Sequence, residues 1–469
     1  MQIYPQSEVH LNGTKYYLAR DAATQQKLLC IDGDLAAFQG TLQAGVYSCP
    51  LTPENAAALR ERLPWLNPHP LGLATSFGFG DRLGIATPGH IAAAAGTGIA
   101  PIFAQQSVRE NDRTGRSPQI VLDDAMWGIF EMGWRDPWGA DADHVKEIGD
   151  LPPFIKAGYT FYTIDPNEYV DNAAHTDSLE TLKAKVTRLP WDSVGVSLEG
   201  LYQLYIKKPV DLAGFNLEFQ EETLLRAAAK YGQAIAHIKS ISDYLIKHVK
   251  QFDLEASVDE TDTPTTVHEH YYIANELRRL EVPFVSLAPR FIGSFEKGVD
   301  YIGDRAEFDR ELERHAAVMH QMGGYKLSIH TGSDKFSIYP SIARQARNLV
   351  HVKTAGTSYL ECLRVIAAVD QPFFRELLDF ARSRYLTDKA TYHVSGKLEK
   401  VPAAAELSDG QLLDLFEQFD ARQVLHVTFG SVLDDYGTRL LKVLTANLKL
   451  YNQFLQKHFQ RHLNPLTIR

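Results

Sequence analysis

The stretch from Phe252 to Thr265, FDLEASVDETDTPT, decides how this chain is read. An apolar run from Phe252 to Val258 ends in the acids Asp259, Glu260 and Asp262, separated by small polar residues, and Pro264 then opens a helical pattern. Acids gathered where a buried strand meets a loop are costly to desolvate unless a cation stands close by. A metal ion, or a lysine used in chemistry, meets that need. The stretch therefore reads as a strand followed by a helix, with an active site at the strand tip.

Outward from it, from Leu71 onward, short apolar runs alternate with longer helical stretches, the signature of a parallel α/β sheet. Candidate strands are Leu71–Ser76, Ile102–Gln106, Thr160–Ile164, Phe252–Val258, Phe284–Ala288, Lys326–Ile329, Leu349–Lys353 and Val424–Thr428. Helical patterns include His90–Ala95, Val121–Met132, Ala227–His248, His268–Leu280, Ala306–Met322, Ser341–Arg347, Ser358–Ala368 and Tyr436–His458. Such units predict a TIM-like (β/α)8 barrel over residues 67–469, with an open sheet as the other arrangement of the same parts. The segment between the third and fourth candidate strands is far longer than one helix needs. It predicts a helical insertion at about 172–250 covering the barrel mouth. Residues 1–66 read as a small N-terminal α/β unit, with a hairpin at Asn12-Gly13 and a helix capped at Thr52-Pro53. Its expected role is packing or oligomerisation, so a homo-oligomer is compatible with it.

Strand parity shows what such a barrel would contain, because alternate residues face opposite sides. Lys326, Ser328 and His330 share one side of their strand; His351 and Lys353, His426 and Thr428, Phe161, Thr163 and Asp165, and Glu255, Ser257 and Asp259 do likewise in theirs. Ordinary barrel interiors are filled with Val, Ile and Leu. Polar groups repeated on that side of several strands point to a site at the C-terminal tips.

Composition narrows the class. Apolar residues at 45% and charged residues at 23% are ordinary globular values. A net charge of −10 without a basic run argues against nucleic acid as a partner. The three cysteines, Cys30, Cys49 and Cys362, are isolated and support neither a disulfide framework nor a thiolate cluster. No signal-peptide pattern or membrane-length apolar run is present, so a cytoplasmic protein without a membrane partner is expected.

Individual residues sharpen the site. His330, in SIHTGSDKF, stands at a strand tip with Gly332 permitting a close turn, and suits a metal ligand. His351 is read equally as ligand or core group, and His426 as core. In GADADHVKE, Gly139 to Glu147, Asp141 and Asp143 have the positions of helix N-caps. His144 gains nothing from capping and is ill placed at a positive helix end, which favours a neutral, ligating imidazole. In HEHYY, His268 and His270 diverge on a helix and would not share an ion. GFGDRLG has the spacing of a tight turn rather than a dinucleotide loop. Lys335 and Lys353 offer cations to an anionic substrate, Lys353 being inward by parity.

Taken together, SFGFGDRLGIATPGHI, GADADHVK, SVDETDTPTT, FVSLAPRFIGSFEKGVDYIGD, KLSIHTGSDKFSIYP and HVKTAGTSYLECLR resemble the tagaturonate epimerase family over most of residues 70–440. The resemblance implies interconversion of D-tagaturonate and D-fructuronate in hexuronate catabolism, with one divalent metal ion such as Zn, Mn, Fe, Co or Ni. The two ketouronates differ at a carbinol carbon β to the ketone, whose C–H that ketone does not acidify. Retro-aldol cleavage, rotation and re-addition is favoured over transient oxidation, because no nucleotide fingerprint is present. Such a step needs a base, an acid on the opposite face and a Lewis acid. Expected metal ligands are His144, His330 and His351, with Glu260 completing the shell or donating a proton. Asp143 or Asp165 is expected as the opposing base, and Lys353 or Arg290 as the partner of the substrate carboxylate. Ser333 and Lys335 are expected at the substrate. Ketohexoses remain candidate substrates. A metal-dependent aldolase or sugar isomerase on the same barrel is the alternative enzyme, and a non-catalytic carbohydrate-binding protein the alternative class.

Overall fold

Parity and βα alternation both converge on a barrel, and the computed structural model, which describes residues 1–43, 45–212 and 214–467, contains one. Eight parallel strands close in sequence order. They are β1 Ser76–Phe79, β2 Ala100–Ser107, β3 Gly139–Val145 and β4 Phe161–Ile164, then β5 Asp253–Val258, β6 Phe284–Pro289, β7 Lys326–Ile329 and β8 Val350–Thr354. The ring shuts where β8 lies parallel to β1, His351 opposite Ser76. Gly80, just past β1, allows that closure: a Cβ there would meet the Ala355 carbonyl oxygen at 2.5 Å.

Four expected elements are corrected, the first being the opening strand, which runs Ser76–Phe79 rather than Leu71–Ser76. Gly139–Val145 is not a helix start but the third strand. Ala140 and Ala142 alternate with Asp141 and Asp143 at the strand period of two, small residues outward and acids inward. The counter-charge for those acids, Lys353, lies 210 residues away from Asp143 in sequence, so nothing local distinguishes them from helix caps. Conversely, Val424–Thr428 is no strand: it belongs to the helix Phe419–Val427. Ala421, Val424 and Leu425 are buried at helical spacing, so packing overrides the β preference of valine. The final helical pattern is also two helices, Phe429–Ala446 and Leu448–Leu463, broken at Asn447.

The insertion lies between β4 and β5, one strand later than expected, because β3 had not been counted. It contains Leu179–Thr187, Leu198–Tyr205 and a hairpin of Val210–Leu212 with Phe215–Leu217, ahead of the long helix Glu221–His248. Among the described residues, none from 172 to 250 lines the cavity at the mouth, although Asn172 Oδ1 accepts the Asp262 N–H at 3.0 Å. The insertion packs outside the helix ring, where the Tyr205 hydroxyl donates to Glu276 at 2.6 Å and accepts from Asn275 at 2.8 Å. The mouth is instead walled by the helix Val108–Thr114, the loop after β6 and the segment around Tyr392.

Ahead of the barrel lies a six-stranded antiparallel sheet. Asn12 and Gly13 turn between Val9–Leu11 and Thr14–Arg20 with φ of +50° and +79°, the left-handed pair a two-residue hairpin demands. Thr52 caps the helix Pro53–Arg62 by accepting from the Asn55 N–H. The sheet and this helix are fastened to the barrel helix Pro118–Met132 by Lys27 on Glu131 and Arg60 on Asp123. Among the described residues, no helix is long and apolar enough to cross a membrane.

Candidate active site

The interior of the barrel is a column of polar groups. At its floor the Lys326 ammonium donates to the Ala74 carbonyl at 3.0 Å and the Ser76 hydroxyl at 2.9 Å. That hydroxyl is also 2.9 Å from His351 Nδ1. Burial pushes Lys326 down to about 8 and the His351 imidazole down to about 3. His351 is thus a neutral group low in the barrel. It does not join His144 and His330, which corrects the expected ligand set.

One layer up stands Lys353, whose ammonium is enclosed by Asp141 at 2.7 Å, Asp143 at 2.8 Å and Glu255 at 3.0 Å, with Thr163 also accepting. Burial would lower its pKa, but the three carboxylates raise it well above the ordinary value. Burial and the neighbouring acids push Asp141, conversely, up to about 7, against the pull of Lys353. With its charge consumed in this way, Lys353 is not the partner of a substrate carboxylate.

The mouth is shaped by a bulge. The register of β3 with β4 slips between Tyr162 and Ile164, and His144 takes φ +52°. A non-glycine residue in that region costs on the order of 1–3 kcal/mol, and such strain gathers at functional sites. Here it turns the consecutive residues Asp143 and His144 both toward the mouth, where a regular strand would separate them. The His144 ring stands 5.1 Å from that of His330, centroid to centroid. His330 Nε2 is 2.6 Å from Glu255 Oε1, and its Nδ1 is 2.9 Å from Asp259 Oδ1. His144 Nδ1 is 3.4 Å from Asp165, and Glu260 closes the rim with Arg109 at 4.0 Å.

The electrostatics of this cluster are lopsided. Asp141, Asp143, Asp165, Glu255, Asp259 and Glu260 crowd together here; Lys353 is the ammonium in ion-pair contact with Asp141, Asp143 and Glu255, Arg109 reaches only Glu260 at the rim, and Arg82 and Lys297 stand on the wall across the cavity. Burial would depress both imidazoles, yet the surrounding acids hold His144 up to about 10 and His330 up to about 9. Burial would likewise raise Asp143 and Asp259, yet the cations beside them hold both well below the usual carboxylate range. The pocket demands more positive charge than its side chains carry as neutral imidazoles. His144, Asp259 and His330 present ligand atoms within 4.8 Å of one another, and His144, Asp165 and Glu260 form an overlapping set. Mixed imidazole and carboxylate donors suit first-row divalent ions. The Glu255 contact with the far nitrogen of His330 is the support that ligating histidines characteristically have.

Of the residues expected from sequence, Asp143, His144, Asp165, Glu260, His330, Ser333 and Lys353 come together around this cavity. Three do not. His351 lies beneath it. Lys335 is buried with its ammonium donating to the carbonyls of Glu296, Val299 and Ser333 at 2.8, 2.6 and 2.9 Å, so it offers substrate nothing. Arg290 lines the outer cleft, beyond Glu260. Asp259 and Glu255 share the inward parity of their strand and stand closer to His330 than Glu260 does. Asp141, which reads locally as a cap, belongs to the Lys353 cluster. Arg82 and Lys297, on the far wall of the cavity, lie in loops without periodicity and carried no signal.

The tagaturonate epimerase (UxaE) family model matches residues 4–466. The chain belongs to that family. A relative described as tagaturonate/fructuronate epimerase, from Thermotoga maritima, is 42% identical over 474 residues, covering 99% of this chain and 97% of the relative. Crystal structures of the fructuronate-tagaturonate epimerase UxaE from Cohnella laeviribosi match over all of this chain and 97% of theirs. The glycerol complex is 36% identical with a TM-score of 0.95, and the native form 35% identical with a TM-score of 0.94. Family membership thus spans the N-terminal sheet, the barrel and the insertion together.

Proposed function

We propose that this chain interconverts D-tagaturonate and D-fructuronate, using a divalent metal ion held by His144, Asp259 and His330. Family membership over the whole chain supports the substrates. The observation that carries the metal is the excess of carboxylates around two imidazoles at the barrel mouth. A bound divalent ion there supplies Lewis acidity, which lowers the cost of an enediolate.

The protein's own groups account for the rest. Inversion at a carbon β to the ketone by retro-aldol cleavage begins with removal of that carbon's hydroxyl proton, and breaking the adjacent C–C bond leaves an aldehyde and an enediolate. Rotation of the aldehyde and re-formation of the bond on its other face, with return of the proton, gives the epimer; nothing is oxidised or lost. Two acid/base groups on different walls are required. Glu260 enters from the loop after β5 and Asp143 from the bulge of β3, on opposite sides of β4. Glu260 is the more exposed and takes the proton. Asp143, ionised and hydrogen-bonded to the Lys353 ammonium, faces the other side of the aldehyde; a proton from that ammonium passes through the pair to the re-formed alkoxide, and the proton taken up by Glu260 restores it through solvent. Asp165 orients His144. The rim contact of Arg109 with Glu260 keeps the fragments enclosed.

The test is to incubate purified protein with D-tagaturonate, follow D-fructuronate by NMR, and repeat with an aldehyde trap after chelation and after metal return. Epimer formed only with metal, and a trapped three-carbon aldehyde, are expected. Epimer formation indifferent to chelation contradicts the metal assignment. Net cleavage without epimer moves the chain to an aldolase.

A further inference from the structure

The wall of the cavity facing the acids is basic, and the chemistry above leaves it unused. Arg82, in the turn after β1, lies flat on the Phe429 ring, 3.6 Å from its centroid. Its Nε and Nη2 both donate to Glu110 Oε1, at 3.2 and 2.8 Å, so the guanidinium plane is fixed. Arg82 is only 3% exposed, and its Nη1 is buried without any protein partner. An orphaned donor of this kind is costly unless something else accepts from it. Beside it, the Lys297 ammonium donates to the Thr331 hydroxyl at 3.2 Å, and no carboxylate among the described residues lies within ion-pair distance of it. Among the described residues Glu110 is the acid in ion-pair contact with Arg82, and the charges of Glu110 and Glu260 reach Lys297 from beyond ion-pair distance. Both cations and Glu110 line the same cavity as His144, Asp259 and His330. Lys353, the other ammonium there, is already enclosed by three acids.

We propose that Lys297 and the free Nη1–H of Arg82 form the subsite for the substrate's own carboxylate, which makes this wall the determinant of uronate over neutral ketohexose. The assignment rests on the function proposed above and deepens it. In the retro-aldol step the carboxylate sits on the aldehyde half, two bonds from the carbon that inverts. That half must turn over without leaving, and an anchor on its charged end lets it turn while staying bound. A planar guanidinium edge and an adjacent ammonium match a carboxylate's two oxygens. The basic wall and the acidic wall then divide the labour: one holds the anion, the other does the chemistry.

The experiment compares wild type with Lys297→Met and Lys297→Arg. It measures KM and kcat for D-tagaturonate, and the inhibition constant of D-tagatose as a competitor in that assay. Losing one charged hydrogen bond should raise the KM for the ketouronate by about 10- to 100-fold in Lys297→Met. The D-tagatose inhibition constant should change by less than about threefold, since a neutral competitor does not use the charge. Lys297→Arg should restore most of the KM, and bound metal should be unchanged in both variants. If wild type does not epimerise the ketouronate, the functional reading itself fails. If wild type is active and Lys297→Met leaves the KM unchanged, or weakens both ligands equally, the subsite is overturned. A ketohexose 6-phosphate that inhibits more tightly than the ketouronate binds would reassign the wall to phosphate and overturn it too.

Discussion

Two clusters in this molecule carry the same inventory, two histidines and an aspartate, in opposite states. At the mouth, His144, Asp259 and His330 face one another across a cavity with acids to spare. Behind β7 and among the C-terminal helices, Asp334, His458 and His462 come equally close, but every partner is already assigned. His458 sits between Asp334 at 2.7 Å and Glu361 at 3.2 Å. His462 Nε2 accepts the Asp334 N–H at 2.9 Å and its Nδ1–H donates to the His458 carbonyl at 3.1 Å. Arg422 supplies the other charge on Asp334, at 2.8 Å, and Arg364 that on Glu361, at 3.0 Å. Burial drives His462 down to about 3. Ligand spacing alone therefore does not make a metal site; an excess of carboxylates over the cations paired with them does, and at the C-terminal cluster Arg422 and Arg364 remove that excess. The second cluster fixes the C-terminal helix against the loop that carries Ser333.

The contrast can be broken most severely at His330. Replacing it by Ala should abolish tight metal binding and lower kcat/KM by about 10³-fold or more, the several kcal/mol a Lewis acid contributes; His462→Ala should leave metal content unchanged. Equal metal loss in both variants would erase the distinction. Next in size, Asp334→Asn strands a buried guanidinium and should destabilise the fold by about 3–5 kcal/mol in urea unfolding, without altering bound metal. A third change sharpens the mouth itself. Glu255→Gln weakens the support on the far nitrogen of His330, and chelator competition should show metal affinity down by about 10- to 100-fold. Affinity unchanged would mean that Glu255 serves only Lys353.

The smallest effect concerns histidines with no acid beside them at all. His270 and His315 meet Nδ1 to Nδ1 at 2.9 Å, with Tyr325 on His270 at 3.0 Å. Burial depresses both, His315 to about 4, and each would repel the other's charge. Because the unfolded chain takes up protons first, near 6.5, this pair's contribution is complete above that pH and is lost as pH falls toward 4. Stability of wild type should fall by about 2 kcal/mol more than that of His315→Asn over that interval. Parallel curves would show that the pair is not held neutral.

What could be read from sequence follows the reach of each interaction. Strands such as Lys326–Ile329 and Phe252–Val258 announced themselves through apolar faces, and their inward polar residues through parity. His330 and Glu260 were legible because each was awkward in its local setting, whereas His144 was singled out from a helix start that is in fact the strand β3. Asp141 and Asp143 were misplaced because an acid near a glycine has a local explanation as a cap, while the lysine that neutralises them lies far along the chain. His351 misled because parity tells which side a residue faces but not how deep it lies. Val424–Thr428 had the composition of a strand and the neighbours of a helix. The basic wall escaped because Arg82 and Lys297 acquire meaning only from Phe429 and Thr331, which the fold brings to them.

The most direct test of the central claim is anomalous diffraction from crystals of the metal-loaded protein. A single strong peak among His144, Asp259 and His330, with none among Asp334, His458 and His462, is the predicted result. A peak at the C-terminal cluster, or a mouth without one in protein that is catalytically active, would contradict it.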